Sequence, residues 1–198
     1  FTIDYYAQDV TGARTLTLSE AGTLFISSRG AGNVYAVPNA TEGTQATELL
    51  TIASGLRSPN GIDVIDGDLY VAEIGRVWRY PQIDADLTSP PEPELVTDVL
   101  PEDAHHGWRY IAQGPDGLLY IAVGAPCNVC ELTDPFGSIS RMELDGSNFE
   151  VYVTGVRNSV GFDWHPETDV LWFTNNGRDW MGNDIPPDTL HRAEGGAH

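Results

Sequence analysis

The sequence predicts an all-β fold, a β-propeller, on three observations. One strand–turn–strand pattern recurs four times along the 198 residues. Period-two alternation dominates and no stretch carries helical periodicity. The 21 Gly and 13 Pro fit many tight inter-strand turns. The four segments are TLTLSEAGTLFISS (15–28), GIDVIDGDLYVAE (61–73), YIAQGPDGLLYIAV (110–123) and FDWHPETDVLWFTN (162–175). Each alternates, turns at Gly or Asp, and resumes on an apolar–aromatic pair. The turn residues Gly22, Gly67, Gly117 and Asp169 lie 45, 50 and 52 residues apart.

A third short strand follows three of these segments: VYAV (34–37), VWRY (77–80) and ISRMEL (139–144). A fourth precedes the next unit: TELLTIA, PELVTDVL and FEVYVTG. Four strands per unit of this length is the pattern of a propeller blade. A β-sandwich does not predict so long a repeat. The Pro-rich, acidic PQIDADLTSPPEPE (81–94) reads as a surface loop, and residues 1–198 as one domain with no linker. Four blades can close a ring, though more are common. The chain ends on HRAEGGAH with no strand expected there to seal a ring, so a partial propeller from a longer protein is expected.

Composition narrows the partners. With 41% hydrophobic residues the chain can bury a substantial core. No apolar run approaches the roughly 18 residues of a membrane span. FTIDYYAQDV lacks a basic-then-apolar leader, so an export signal is expected to be removed or not included. Against 29 acidic residues stand 10 basic ones, all Arg, for a formal charge of −19. Such a surface repels nucleic acid and anionic lipid. It fits an acidic secreted protein, or one from a saline setting where screening limits self-repulsion.

The connections between blades concentrate unusual residues. VTGART, SGLRSPNG, PEDAHHGWR and TGVRNSVG each precede an inner strand, where a propeller loop reaches the central channel. They carry Arg14; Arg57 and Asn60; His105, His106 and Arg109; and Arg157 and Asn158. Recurrence at one structural position predicts a shared pocket near the axis. A lone His before a strand is ordinarily structural, and Arg–Asn can simply cap a turn. Tandem histidines sharing a mouth with several arginines favour a ligand, and guanidinium suits planar carboxylates or phosphates. The second set of turns ends on Arg29, Glu73, Gly124 and 175–178. Asp and Asn in NNGRDWMGNDIPPDTL (175–190) are candidate oxygen ligands for calcium, a weak signal in itself. His165, in a Trp-His-Pro-Glu turn, reads as structural.

Cys127 and Cys130 form a lone C-x-x-C in APCNVCE. Two cysteines cannot complete a four-ligand zinc site, and no βαβ context supports a thioredoxin-like motif. A local disulfide in an exported protein is the first reading, reduced structural cysteines the alternative.

HHGWRYIAQGPDGLLYIAVGAPCNVCE (105–131) and TGVRNSVGFDWHPETDVLWFTNNGRDWMGNDIPPDTL (154–190) resemble the PQQ-dependent sugar dehydrogenases. The resemblance is to their L-sorbosone dehydrogenase or PQQ-dependent pyranose dehydrogenase branch. Soluble quinoprotein glucose dehydrogenase is more distant. The likeness extends over most of the chain, through SGLRSPNGIDV and LYVAEIGRVWRY. It implies a six-bladed propeller holding pyrroloquinoline quinone (PQQ) and Ca2+ at the channel mouth. His106, eight residues before the Gly of GPD, matches the family's general base. Arg157 would stabilise negative charge on the quinone oxygens and Asn158 would hold the cofactor. His105 falls where the glucose enzyme has an acidic neighbour. The cofactor's carboxylates would account for the remaining arginine cluster, with Arg14, Arg57, Asn60 and Arg178 also assigned to cofactor binding. Gly177 falls where a backbone carbonyl ligates calcium; the next position there is proline and here is Arg178.

The resemblance further implies a small sugar substrate, an external electron acceptor (a cytochrome or a quinone) and a secreted or periplasmic location. Two other classes compete with a dehydrogenase. A calcium-dependent lactonase-type propeller hydrolase would put carboxylates and Asn on the axis, where this chain has Arg and His. A non-catalytic binding propeller needs no Arg–His constellation.

Overall fold

The computed structural model describes residues 3–194. The glycine-rich end of HRAEGGAH, residues 195–198, lies outside the described residues. Among the described residues, fifteen strands form four antiparallel sheets in chain order, the blades of a β-propeller. The first blade is β1 (Ala13–Leu18), β2 (Leu24–Ser28), β3 (Asn33–Val37) and β4 (Leu50–Ala53). The second is β5 (Ile62–Ile65), β6 (Asp68–Ala72), β7 (Val77–Tyr80) and β8 (Glu94–Thr97). The third is β9 (Ile111–Gln113), β10 (Leu119–Val123), β11 (Ser138–Met142) and β12 (Glu150–Val153). The fourth has β13 (Phe162–Trp164), β14 (Leu171–Asn175) and β15 (Thr189–Ala193). Compact units divide the chain into Phe1–Glu73 with Val77–Leu95, and Ile74–Arg76 with Val96–His198.

The hairpin turns explain why the repeat is visible in sequence. Gly22, Gly67 and Gly117 have φ of 85, 84 and 83°, and Asp169 has 54°. All four occupy the left-handed region that glycine enters freely and Asp tolerates. In the second blade Asp66 also has positive φ, so Asp-Gly forms a two-residue turn whose twist matches its strands.

Burial follows from stacking. β2, β6, β10 and β11 are central strands covered on both faces; β6 and β10 read as near-continuous apolar runs, while β2 and β11 also bury serines. The outer strands β4, β8 and β12 keep only part of their surface buried. In the first unit Phe25, Val34, Leu69 and Val71 form one core with Ile83. In the second, Tyr120, Ile139, Phe162 and Phe173 do the same, and Tyr120, Phe162 and Trp164 meet edge to face. Each such side chain contributes about 1.5–3 kcal/mol by leaving water.

Two details differ from the expectation. The 81–94 stretch is not all surface: a 3-10 turn at Ile83–Ala85 drives Ile83 fully into the core. And Thr189–Ala193, expected to carry no strand, pairs along β14 from Leu171↔Ala193 to Asn175↔Thr189. Its first four residues are exposed, so it shows none of the alternation that marks a half-buried strand.

Candidate active site

In the second unit, two inter-blade connections meet the end of β10. The connection at 101–109 turns tightly, with Gly107 N–H donating to the Ala104 carbonyl at 3.1 Å. His106 takes φ of 48°, unusual for a side chain of its size. Arg109 braces the loop. It is 1% exposed, and its Nε donates to the Ile74 carbonyl (2.8 Å) and one Nη to the Pro101 carbonyl (2.6 Å), tying the loop's end to its start. Burial pushes its guanidinium down to about 10, still charged at neutral pH. Arg109, expected at the pocket mouth, is therefore a buried brace.

The left-handed backbone turns the His106 ring inward. Its Nδ1 lies 2.9 Å from the Ala125 carbonyl. A carbonyl only accepts, so Nδ1 carries the proton and Nε2 keeps its lone pair. Burial lowers the imidazole's pKa below the usual histidine value. The Ala125 hydrogen bond opposes this, and the charges of His105 and Arg157 add to it. The His106 imidazole is thus held neutral near neutral pH. His105 is exposed, its ring 4.1 Å from that of His106 and steeply inclined.

Ala125 has a second bond: its N–H donates to the Arg157 carbonyl at 2.8 Å. The 157–158 backbone is strapped on its other side to the end of β14. Asn158 N–H donates to Asn175 Oδ1 (3.1 Å), and Asn176 N–H to the Asn158 carbonyl (2.9 Å). One residue at the end of β10 makes the close approach possible. A Cβ built on Gly124 would stand 2.5 Å from His106 Cβ and 2.8 Å from Asn158 Oδ1. His106 and the buried Asn158 therefore occupy space that any other side chain at 124 would take.

The Arg157 guanidinium is fixed by all its nitrogens. Nε donates to the Asn128 carbonyl (3.1 Å), Nη1 to the Asn176 carbonyl (3.2 Å), and Nη2 to Asn128 Oδ1 and Asp179 Oδ2 (2.8 Å each). Cys127 and Cys130 are disulfide-bonded and close the loop that carries Asn128. Gly177 N–H donates to Asp188 Oδ1 (2.8 Å), and a Cβ built on Gly177 would stand 3.1 Å from the Pro186 and Pro187 carbonyl oxygens. Among the described residues no three His, Cys, Asp or Glu side chains converge as metal ligands. A cation here would depend on carbonyl oxygens such as that of Gly177, and exposed Arg178 can offer a metal only its carbonyl. His165 takes the structural role expected, its Nδ1 accepting from Glu167 N–H at 3.3 Å in the β13–β14 turn.

The first unit carries the other candidates. Arg14 is exposed on β1 and Arg57 is exposed in its connection. Arg57 N–H donates to the Glu73 carboxylate. Asn60 is buried, and its carbonyl accepts from Ser27 Oγ at 2.6 Å. Sequence reasoning overlooked Asn128 and Ala125, and took Asp179 as one of the candidate calcium ligands of 175–190 where its carboxylate pairs with Arg157. Gly124 did have a signal: it stands where the second blade has Glu73.

Known proteins supply the wider context. A family model for TrAA12-like proteins matches residues 1–192. The chain belongs to the TrAA12-like family. This TrAA12-like chain is 29% identical over 188 residues to an uncharacterized protein of Borreliella burgdorferi, covering 90% of this chain and 48% of that one. It thus spans about half the length of the curated relative it matches. The holo PQQ domain of pyranose dehydrogenase from Coprinopsis cinerea has a TM-score of 0.76 at 16% identity, over 95% of this chain and 49% of that one. The Trichoderma reesei Carbohydrate-Active Enzymes Family AA12 protein scores 0.79 in an iodide structure at 18% identity, over 94% of this chain and 52% of that one. Its calcium structure scores 0.75 at 17%, over 94% and 53%. At such identities the likeness establishes the fold.

Proposed function

We propose that these blades belong to a PQQ- and calcium-dependent dehydrogenase. It oxidises a sugar or sugar-derived aldehyde or osone, of pyranose or sorbosone type, and passes electrons to an external acceptor such as a cytochrome or quinone. A secreted or periplasmic location accompanies this reading. The observation that carries it is the chain from His106 through Ala125 to Arg157: a neutral imidazole with a bare Nε2, fixed on the same residue as an immobilised cation. The family membership and the likeness to a holo PQQ domain support it.

PQQ, when bound, supplies the hydride acceptor. His106 Nε2 accepts the substrate's hydroxyl proton as the hydride leaves carbon, and the Ala125 carbonyl steadies the resulting imidazolium through Nδ1–H. Arg157 and Asn158 fit an anionic, carboxylate-bearing cofactor: one holds fixed positive charge, the other a buried amide beside the Gly124 gap. His105, Arg14, Arg57, Asn60 and Arg178 are assigned supporting contacts to it. Calcium suits the oxygens near Gly177, where it would orient and polarise the cofactor.

The test is titration of PQQ with calcium into the full-length protein, following quinone absorbance and dye reduction with aldoses and osones. Tight binding with sugar-dependent reduction is expected, and His106→Ala should lower turnover by roughly 10²–10⁴-fold. Absence of binding by well-folded protein rules the reading out.

A further inference from the structure

The disulfide loop has a role that neither the fold nor the proposed chemistry assigns. Asn128 is enclosed between Cys127 and Cys130, three residues apart and bonded to each other. Every polar group of its side chain is engaged. Oδ1 accepts from Arg157 Nη2 and from Asp179 N–H, both at 2.8 Å, and Nδ2 donates to the Asp179 carbonyl at 3.0 Å. Its own carbonyl takes Arg157 Nε at 3.1 Å. One planar amide thus fixes both members of the Arg157–Asp179 ion pair, reaching residues 29 and 51 positions away. Asp179 is well exposed, and exposed carboxylates hold a geometry poorly by themselves. Asn supplies donor and acceptor together; Asp would lose the donor, and Ala both.

We infer that Asn128, held by the Cys127–Cys130 loop, is the positioning residue that aims the Arg157 guanidinium. The role rests on the dehydrogenase reading for its catalytic meaning, but its structural content can be tested separately. The 10 basic residues of these 198 are all Arg, each with one side-chain Nε–H, and Arg157→Lys assigns the Arg157 signal by its loss. In full-length protein without cofactor, Asn128→Ala should speed hydrogen exchange at Arg157 Nε–H about tenfold or more. The signal of Arg141, on β11 and held by Glu150 and Asp116, should stay put. Asn128→Asp, which keeps the acceptor, should give a smaller change, and it serves if the alanine variant does not fold. Breaking the loop with Cys127→Ser/Cys130→Ser should move the same signal. Unchanged exchange at Arg157 in the folded variants overturns the inference.

In loaded enzyme, Asn128→Ala should cut kcat about tenfold in the wild-type background and have little effect beside Arg157→Lys, because contacting residues are non-additive. Equal loss in both backgrounds would mean a merely structural role and also overturn it. If wild-type protein binds no PQQ, the dehydrogenase reading falls, while the exchange measurement still decides on Asn128.

Discussion

Position 73 of the second blade and position 124 of the third follow the same strand of the repeat, and they do opposite things. Glu73 fills its place. Its carboxylate is buried and accepts from the Arg57 backbone N–H and from Trp78 Nε1, so that turn is closed by its own side chain. Gly124 leaves its place empty, and His106 and Asn158 enter it from two other connections. The scaffold does not by itself make a site. A site arises where the side chain that would have sealed the turn is missing, and polar groups from neighbouring loops are braced into the gap.

The largest effect should come from sealing the gap. Gly124→Ala puts a Cβ 2.5 Å from His106 Cβ. Displacing a catalytic group by about 1 Å costs on the order of 10²-fold. Steady-state kinetics on the full-length protein would show it as a fall in turnover, beside the roughly 1–3 kcal/mol stability loss of an overpacked site; undiminished turnover would break the contrast with Glu73.

Acidification should act on the same place. The His106 pKa lies below its unfolded value, so the unfolded chain takes up this proton first as pH falls. Activity should hold on a plateau above about 6.5, the unperturbed histidine value, and fall about tenfold per unit only below the lowered native pKa. The stability linked to this group is fully present above the unfolded pKa and is lost as pH drops from there through the native one. A pH–rate profile breaking above the ordinary histidine range would contradict the burial argument.

Removing the plug in the second blade should be felt in stability. Glu73→Ala strands the donors of Arg57 and Trp78 and should cost about 1–3 kcal/mol in denaturant unfolding. A cost near zero would mean that the turn holds without its carboxylate. Smallest of all, Glu150→Ala removes one exposed partner of Arg141, which Asp116 still holds at 3.1 Å. Its cost should be about 0.2–1 kcal/mol and shrink further in high salt.

The four blades were legible because each repeats a left-handed turn residue, and left-handed φ is a strong compositional filter: Gly22, Gly67, Gly117 and Asp169 mark the register by themselves. His106, Arg157 and Asn158 were legible because they recur at the inter-blade position. Arg109 shares that position yet points into the interior, since chain position does not say which way a side chain turns. β15 escaped notice because its exposed residues have no reason to alternate. Asn128, and the pairing of Asp179 with Arg157, were hidden for a different cause. Their partners are chosen by where distant loops meet, and nothing local to CNVC or GRDW encodes that meeting.

Gly124 also changes what a saturation mutagenesis experiment would report. Each single-nucleotide missense change in a glycine codon introduces a larger side chain, and here each would collide with His106 or Asn158. A fitness map would rank position 124 beside His106, although it contributes no functional group. Intolerance there would report the space that His106 and Asn158 fill, not a group at 124.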